Sequence, residues 1–235
     1  MRPTYLGIGP PRTGSSSIFR VLRIHPHIEQ TIEKELHWFD REDWVLTPES
    51  LAKYESNWSD LVTTVRGEIT PNYILYPDRI LPVYPDIKYI ITWRDPVERL
   101  LSHLRAGFVW GHLRGEVKLS EKAAYRETFL RKFEEQIANG DFNSQDVIRY
   151  SRKNILKPWQ DALSEDQLLV IQFEEFANPK THQAVVERVL KFLGVPPLYS
   201  TGRKSFHLNS LPSEEKVILK PETITALREY FNSYE

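Results

Sequence analysis

The chain of 235 residues has no cysteine, no long apolar run and almost no net charge. The absence of cysteine excludes disulfides, thiolate metal sites and cysteine nucleophiles, and it fits a reducing compartment. No stretch reaches the roughly 18 apolar residues of a membrane-spanning helix, and the first strand is expected almost at Met1 with no apolar signal region before it. These features predict a soluble, cytoplasmic protein without a membrane partner. A net charge of -1 argues against a general nucleic-acid binder, so any anion site must be built locally from a few arginines and lysines.

A fourth absence is local. Gly9-Pro10-Pro11-Arg12-Thr13-Gly14-Ser15-Ser16 has the spacing of a nucleotide-triphosphate P-loop, but Ser15 stands where the phosphate-gripping lysine belongs. Arg12 is the only cation in this loop. Small residues at Gly14, Ser15, Ser16 and Ser17 let the backbone approach an anion closely, and a helix N-terminus directs its amides at one. Ile18, Phe19, Val21, Leu22 and Ile24 then give that helix an apolar face. The same residues also suit a plain Gly/Ser-rich turn that caps a helix.

Apolar, β-rich runs at Thr4 to Ile8, Thr64 to Ile69, Ile87 to Trp93 and Leu168 to Phe173 alternate with helical periodicity. This predicts a single α/β domain over residues 1–235, three-layered and P-loop-like, with a central parallel sheet flanked by helices. Helices are predicted from Asp95-Pro96 to about Phe108, and over Glu121 to Ala138, Ser144 to Ala162, Lys180 to Leu193 and Pro221 to Phe231. Pro196 to Val217 reads as irregular. Arg94 falls at a strand's carboxyl end, where open α/β sheets bind ligands. Arg94 and Ser102 can converge on one anion, or belong to a capped helix whose arginines pair with nearby carboxylates.

Together, the Gly9–Ser16 loop and Trp93-Arg94-Asp95-Pro96-Val97-Glu98-Arg99-Leu100-Leu101-Ser102 resemble the sulfotransferases that use 3′-phosphoadenosine 5′-phosphosulfate (PAPS) as donor. The resemblance implies that Arg12, Thr13, Gly14, Ser15 and Ser16 hold the donor's 5′ end, that Arg94 and Ser102 hold its 3′-phosphate, and that no metal takes part. Lys34-Glu35-Leu36-His37-Trp38-Phe39-Asp40 and Gly67-Glu68-Ile69-Thr70-Pro71-Asn72-Tyr73 resemble segments of the heparan sulfate branch. Leu169 to Pro179 and Val189 to Pro196 extend the similarity along nearly the whole chain.

By this resemblance Glu35 is the general base for an acceptor hydroxyl, with Trp38 and Phe39 expected to desolvate it. His37 orients Glu35 or serves as base itself, and Arg12 stabilises charge on the leaving phosphate. Asp40 and Tyr73 are candidate acceptor contacts, while Lys204 and Asn209 fall where relatives carry a donor-covering loop. Tyr150, Arg152 and Lys153 are weaker candidates for the adenine or the 3′-phosphate.

Three departures bear on the acceptor. Arg12 replaces the loop's common lysine, Ile69 replaces a lysine common in the heparan-modifying branch, and Ser16 stands where some of those enzymes carry arginine. The chain therefore lacks two cations for a sulfated polymer, and the missing cysteines remove a disulfide found in some secreted relatives. The expected reaction is sulfuryl transfer from PAPS to a hydroxyl, less readily an amine, of a carbohydrate or other small molecule. The competing readings are a P-loop nucleotide kinase and a nucleotide-binding module without turnover.

Overall fold

The structure is a computed structural model that describes residues 1–59, 64–113, 118, 121–142, 150–197 and 216–233. The chain divides into two compact units, Met1–Arg94 with Leu156–Leu208, and Asp95–Ile155 with Asn209–Glu235.

The first unit is built on five parallel strands in the order β2-β3-β1-β4-β5. Four lie where the sequence predicts them: β1 (Tyr5–Ile8), β3 (Val65–Ile69), β4 (Lys88–Trp93) and β5 (Leu168–Gln172). The edge strand β2 (Ile28–Gln30) reads Ile-Glu-Gln and carries no strand signal of its own; pairing of Ile28 with Val65 and Gln30 with Gly67 makes it one.

Strand alternation divides the core. On one face, Tyr5, Ile28, Val65, Ile69, Ile90 and Ile171 pack against α1 (Ser15–Arg23), α7 (Phe173–Ala177) and α8 (His182–Leu193). On the other, Tyr54 of α2 (Pro48–Glu55) meets Trp58, Phe39 and Tyr84, and Tyr89 meets Trp159 of α6 (Lys157–Ala162). Trp159 is fully buried and donates from Nε1 to the Ile74 carbonyl at 3.0 Å. Each such aromatic stabilises the fold by about 1.5–3 kcal/mol through burial. Thr47 caps α2, its hydroxyl accepting from Ser50 N while the Ser50 hydroxyl accepts from Thr47 N. The short α3 (Pro77–Ile80) follows a 3₁₀ turn at Pro71–Leu75.

The second unit contains α4 (Pro96–Leu113), α5 (Lys122–Ala138) and α9 (Pro221–Asn232), joined by Leu100, Leu104, Phe108, Phe133, Ile137, Leu227 and Phe231. Asp95 starts α4 as its position before proline predicts, its carboxylate accepting from Glu98 N at 2.9 Å. The expected single helix over 144–162 is not formed as such in its described part. Lys153–Ile155 is a 3₁₀ turn and α6 begins afresh at Lys157, because Pro158 lacks the N–H a continuing helix needs and suits a first turn.

Candidate active site

Two segments of the first unit follow the carboxyl ends of β1 and β2, the strands that flank β3 in the parallel sheet. After β1 the chain turns through Gly9, which bonds to the Pro71 carbonyl, while Thr70 N bonds to the Gly7 carbonyl. Gly9 has φ 144°, and a Cβ there would lie 2.6 Å from the Thr92 carbonyl oxygen. Only glycine lets the loop pass this close to β4. Thr13 is buried; its hydroxyl donates to the Pro10 carbonyl at 2.7 Å and accepts from the Thr92 hydroxyl at 2.6 Å. Its side chain therefore locks the loop onto β4. Arg12 is half-buried with φ 75°.

Gly14 caps α1 in the left-handed conformation with no side-chain cap, and no acidic residue lies in the helix's first turn. The positive end of the helix dipole thus meets no carboxylate from the helix's own first turn. Ser15 and Ser17 are buried in this turn and Ser16 is half-buried. The ring of Phe173 lies 3.1 Å from where a Gly14 Cβ would be, and the Arg94 guanidinium stacks 4.4 Å from that ring's centre. Phe173 thus touches both the helix start and Arg94.

The second segment follows β2. Among the described residues, Arg12, Glu35 and His37 are the non-glycine residues with left-handed backbone, Glu35 at φ 68° and His37 at φ 50°. Such conformations cost about 1–3 kcal/mol each and persist only where the surroundings impose them. Here Leu36 N donates to Glu68 Oε2 at 3.1 Å and Trp38 N to the Tyr73 hydroxyl at 2.8 Å. Arg79 donates to the Phe39 and Arg41 carbonyls, and Trp38 stacks on Tyr54 at 4.7 Å.

Pinned this way, Glu35 and His37 keep their side chains 36% and 47% exposed. His37 Nε2 lies 3.5 Å from Glu35 Oε2, and its Nδ1 lies 2.7 Å from Asp40 Oδ2. The Asp40 carboxylate is almost wholly buried. Lys34 pairs with Glu35 from the other side. Burial lowers the Lys34 ammonium from 10.5 to about 8, against the partly opposing pull of the Glu68 charge. Burial likewise pushes Glu68 above the ordinary carboxylate value, while hydrogen bonds from Thr70, Tyr54, Leu36 N and Tyr73 pull it back.

Of the residues expected from sequence, Glu35, His37 and Asp40 come together, and Arg12, Thr13, Gly14, Ser15 and Ser16 form one loop. Tyr73 is fully buried, its hydroxyl engaged by Glu68 and Trp38 N. Ser102 lies half-buried on α4 in the second unit, and Lys204 and Asn209 fall outside the described residues. Ile69 is packed in the core against Gly7, whose added Cβ would lie 2.5 Å from Ile69 Cγ1. Sequence reasoning did not single out Lys34, Glu68, Arg79 or Phe173 as contributors to the site. For Glu68 a signal existed: a carboxylate between Gly67 and Ile69 on a buried strand, with Thr70 and Tyr73 close behind.

Residues 37–200 match the sulfotransferase family. The chain belongs to that family. It is 26% identical over 215 residues to the mouse bifunctional heparan sulfate N-deacetylase/N-sulfotransferase 4, covering 84% of this chain and 23% of that protein. To mouse heparan sulfate glucosamine 3-O-sulfotransferase 3B1 it is 25% identical, covering 88% and 49%. It thus spans about a quarter and a half of these relatives' lengths. Among solved structures, a sulfotransferase from Alicyclobacillus acidocaldarius superimposes with TM-score 0.65 at 25% identity, covering 99% of this chain and 92% of that one. Mouse sulfotransferase SULT7A1, solved in complex with PAP, shares the fold with TM-score 0.53 at 16% identity, covering 85% and 60%. The parallel sheet flanked by helices is therefore the P-loop-like α/β fold of sulfotransferases. No helix among the described residues is long and apolar enough to cross a membrane.

Proposed function

We propose that this chain transfers a sulfuryl group from PAPS to a hydroxyl of a carbohydrate or other small molecule, with Glu35 as general base. The observation that carries the reading is the Asp40–His37–Glu35 chain, held on strained backbone beyond β2, on the far side of β3 from the strand that feeds the anion loop. A loop that merely bound a nucleotide would have no need of it.

The residues present fit a phosphosulfate donor. Gly9 and Gly14 admit close approach of an anion, the α1 amides face it with no acidic residue in the helix's own first turn, and Arg12 supplies a cation. Arg94, held against Phe173, is the candidate for the 3′-phosphate; the same role for Ser102 rests on the sequence resemblance alone. When bound, the donor supplies the sulfuryl group.

The protein's tasks are then orientation, charge stabilisation and proton removal, as in phosphoryl transfer. Arg12 and the loop amides offset the charge that grows on the leaving phosphate. Asp40 accepts the Nδ1–H of His37, which turns Nε2 toward Glu35 and fixes the ring. Glu35 takes the acceptor's proton and His37 steadies the carboxyl that results, a contribution of roughly 100- to 10,000-fold. Tyr73 supports this segment from beneath and does not meet the acceptor.

The matching heparan sulfate enzymes favour a carbohydrate acceptor. Ile69, buried and apolar, and Ser16, uncharged, favour a less anionic one than heparan sulfate.

Calorimetric titration with 3′-phosphoadenosine 5′-phosphate (PAP), beside ATP with magnesium and adenosine 5′-phosphate, tests the donor. Preference for PAP that is lost in Arg94→Ala is expected. ATP binding as tight as PAP would overturn the reading. Glu35→Ala is expected to bind PAP normally while losing turnover.

A further inference from the structure

Two backbone amides that shape the base-bearing segment end on one buried carboxylate. Glu68 is 0% exposed. Its Oε2 accepts from Leu36 N at 3.1 Å and the Thr70 hydroxyl at 2.5 Å; its Oε1 accepts from the hydroxyls of Tyr54 at 2.8 Å and Tyr73 at 2.9 Å. A tyrosine has one O–H to give, so Tyr73 donates to Glu68 and offers its lone pair to Trp38 N. Leu36 lies between Glu35 and His37, and Trp38 follows His37. The Leu36 bond is direct, and the Trp38 bond reaches Glu68 through a single hydroxyl.

Four donors aimed at two oxygens suit an ionised carboxylate. A charge this deep in a sheet is not the stabilising choice for a β-strand. An apolar residue of similar volume often serves as well or better, while removing one partner of a satisfied buried group is costly. The groups around Glu68 are the phenols of Tyr5, Tyr54 and Tyr73, each pushed above its ordinary value by burial and by this charge. The ammonium of Lys34 also feels the charge, and pairs in turn with Glu35, which faces His37 and, through it, Asp40.

We propose that Glu68 is the positioning residue of this site: directly through Leu36 N, and through the Tyr73 hydroxyl to Trp38 N, it imposes the left-handed backbone that presents Glu35 and His37. The inference rests on the sulfuryl-transfer reading for the roles of Glu35 and His37, but its physical content belongs to the protein alone. Glu68 acts through the 35–38 segment and touches neither donor nor acceptor.

The test uses the full chain without ligands, comparing the unmodified protein with Glu68→Gln and Tyr73→Phe. Exchange of the Leu36 and Trp38 amides is followed by NMR, with the β4 amides of Ile90 and Ile91 as controls for folding, and Lys34 is titrated through its labelled Cε. In Glu68→Gln the glutamine can still accept from the tyrosines, but it has no charge and sets an N–H₂ or a single oxygen against Leu36 N. Leu36 protection is expected to fall about tenfold or more, the worth of one buried hydrogen bond, and the Lys34 midpoint to move further below about 8. In Tyr73→Phe only Trp38 loses its acceptor, so Trp38 protection falls similarly while Leu36 and Lys34 hold.

Unchanged Leu36 protection in folded Glu68→Gln would overturn the proposal. Should that variant fail to fold, Tyr73→Phe decides, and unchanged Trp38 exchange would overturn it. With an acceptor in hand, Glu68→Gln is expected to lower kcat about tenfold or more at unchanged donor KM; a rise in donor KM with kcat intact would count against positioning. PAP titration separates the two claims. A response of the amides and Lys34 without PAP binding would leave Glu68's role standing and remove the sulfuryl-transfer reading, and the reverse pattern would do the opposite.

Discussion

Asp40 holds His37 by one nitrogen, Oδ2 to Nδ1 at 2.7 Å, and so leaves the other nitrogen facing Glu35 at 3.5 Å. The buried carboxylate accepts the Nδ1–H, which selects the tautomer and fixes the orientation of the ring. Asp40→Asn keeps an acceptor but removes the charge. Turnover is expected to fall about ten- to a hundredfold while PAP binding, measured by calorimetry, stays within twofold. A fully active Asp40→Asn would remove His37 from the mechanism.

Arg94 lies over the ring of Phe173 in a cation–π contact at 4.4 Å. Phe173→Leu keeps an apolar residue under Gly14 but takes away the ring face, and a contact of this kind contributes about 0.5–2 kcal/mol. PAP affinity is expected to drop about two- to thirtyfold, with little change in the affinity for adenosine 5′-phosphate, which lacks the 3′-phosphate. Equal losses for both nucleotides would point to a general disturbance of the loop.

Two glycines with positive φ should respond differently to alanine. At Gly9 the new Cβ would meet the Thr92 backbone at 2.6 Å, whereas at Gly140 nothing lies within 4 Å. Gly140→Ala is expected to cost only the left-handed penalty, about 1–2 kcal/mol. Gly9→Ala must also part the loop from β4, adding about 1–3 kcal/mol and weakening PAP binding at least tenfold. Urea midpoints and calorimetry on both variants check this, and a similar loss in each would contradict it.

Lys34 gives stability a distinct alkaline signature. Its native value is lowered from 10.5 to about 8, so between these values the unfolded chain binds a proton that the native chain does not. Stability contributed by this group therefore rises with pH over that window, by about 2 kcal/mol from pH 8 to near 10. Above 10 the sign reverses, because Tyr5, Tyr54 and Tyr73 keep their protons when native and lose them when unfolded. Urea unfolding of Lys34→Met across this range should lack the rise and keep the later fall.

The legible parts of this protein are those whose signal is local. Continuous apolar runs announced β1, β3, β4 and β5 to within a residue at each end, and Gly14 with the serines announced the start of α1. Glu35, His37 and Asp40 stood within six residues of one another in a recognisable motif. Strand β2 was hidden because Ile-Glu-Gln is a strand only by virtue of its neighbour β3. In its described part, the helix expected across 144–162 is broken by a fresh start at Lys157, with Pro158 in the new helix's first turn.

By itself the sequence determined the parallel α/β architecture, since apolar periodicity is written along the chain, and it marked the Gly9–Ser16 loop with its missing lysine and, through a family resemblance, Glu35, His37 and Asp40 as candidates. Only the tertiary structure decided that Thr13 spends its hydroxyl on β4, that Tyr73 lies beneath the site, and that Lys34 and Glu68 bracket the segment carrying the base. The physical reason is that a buried charge is defined by the donors that surround it. Those of Glu68 come from positions 36, 54, 70 and 73, which no local pattern connects until β3 is laid beside β1 and the aromatic layer closes over it.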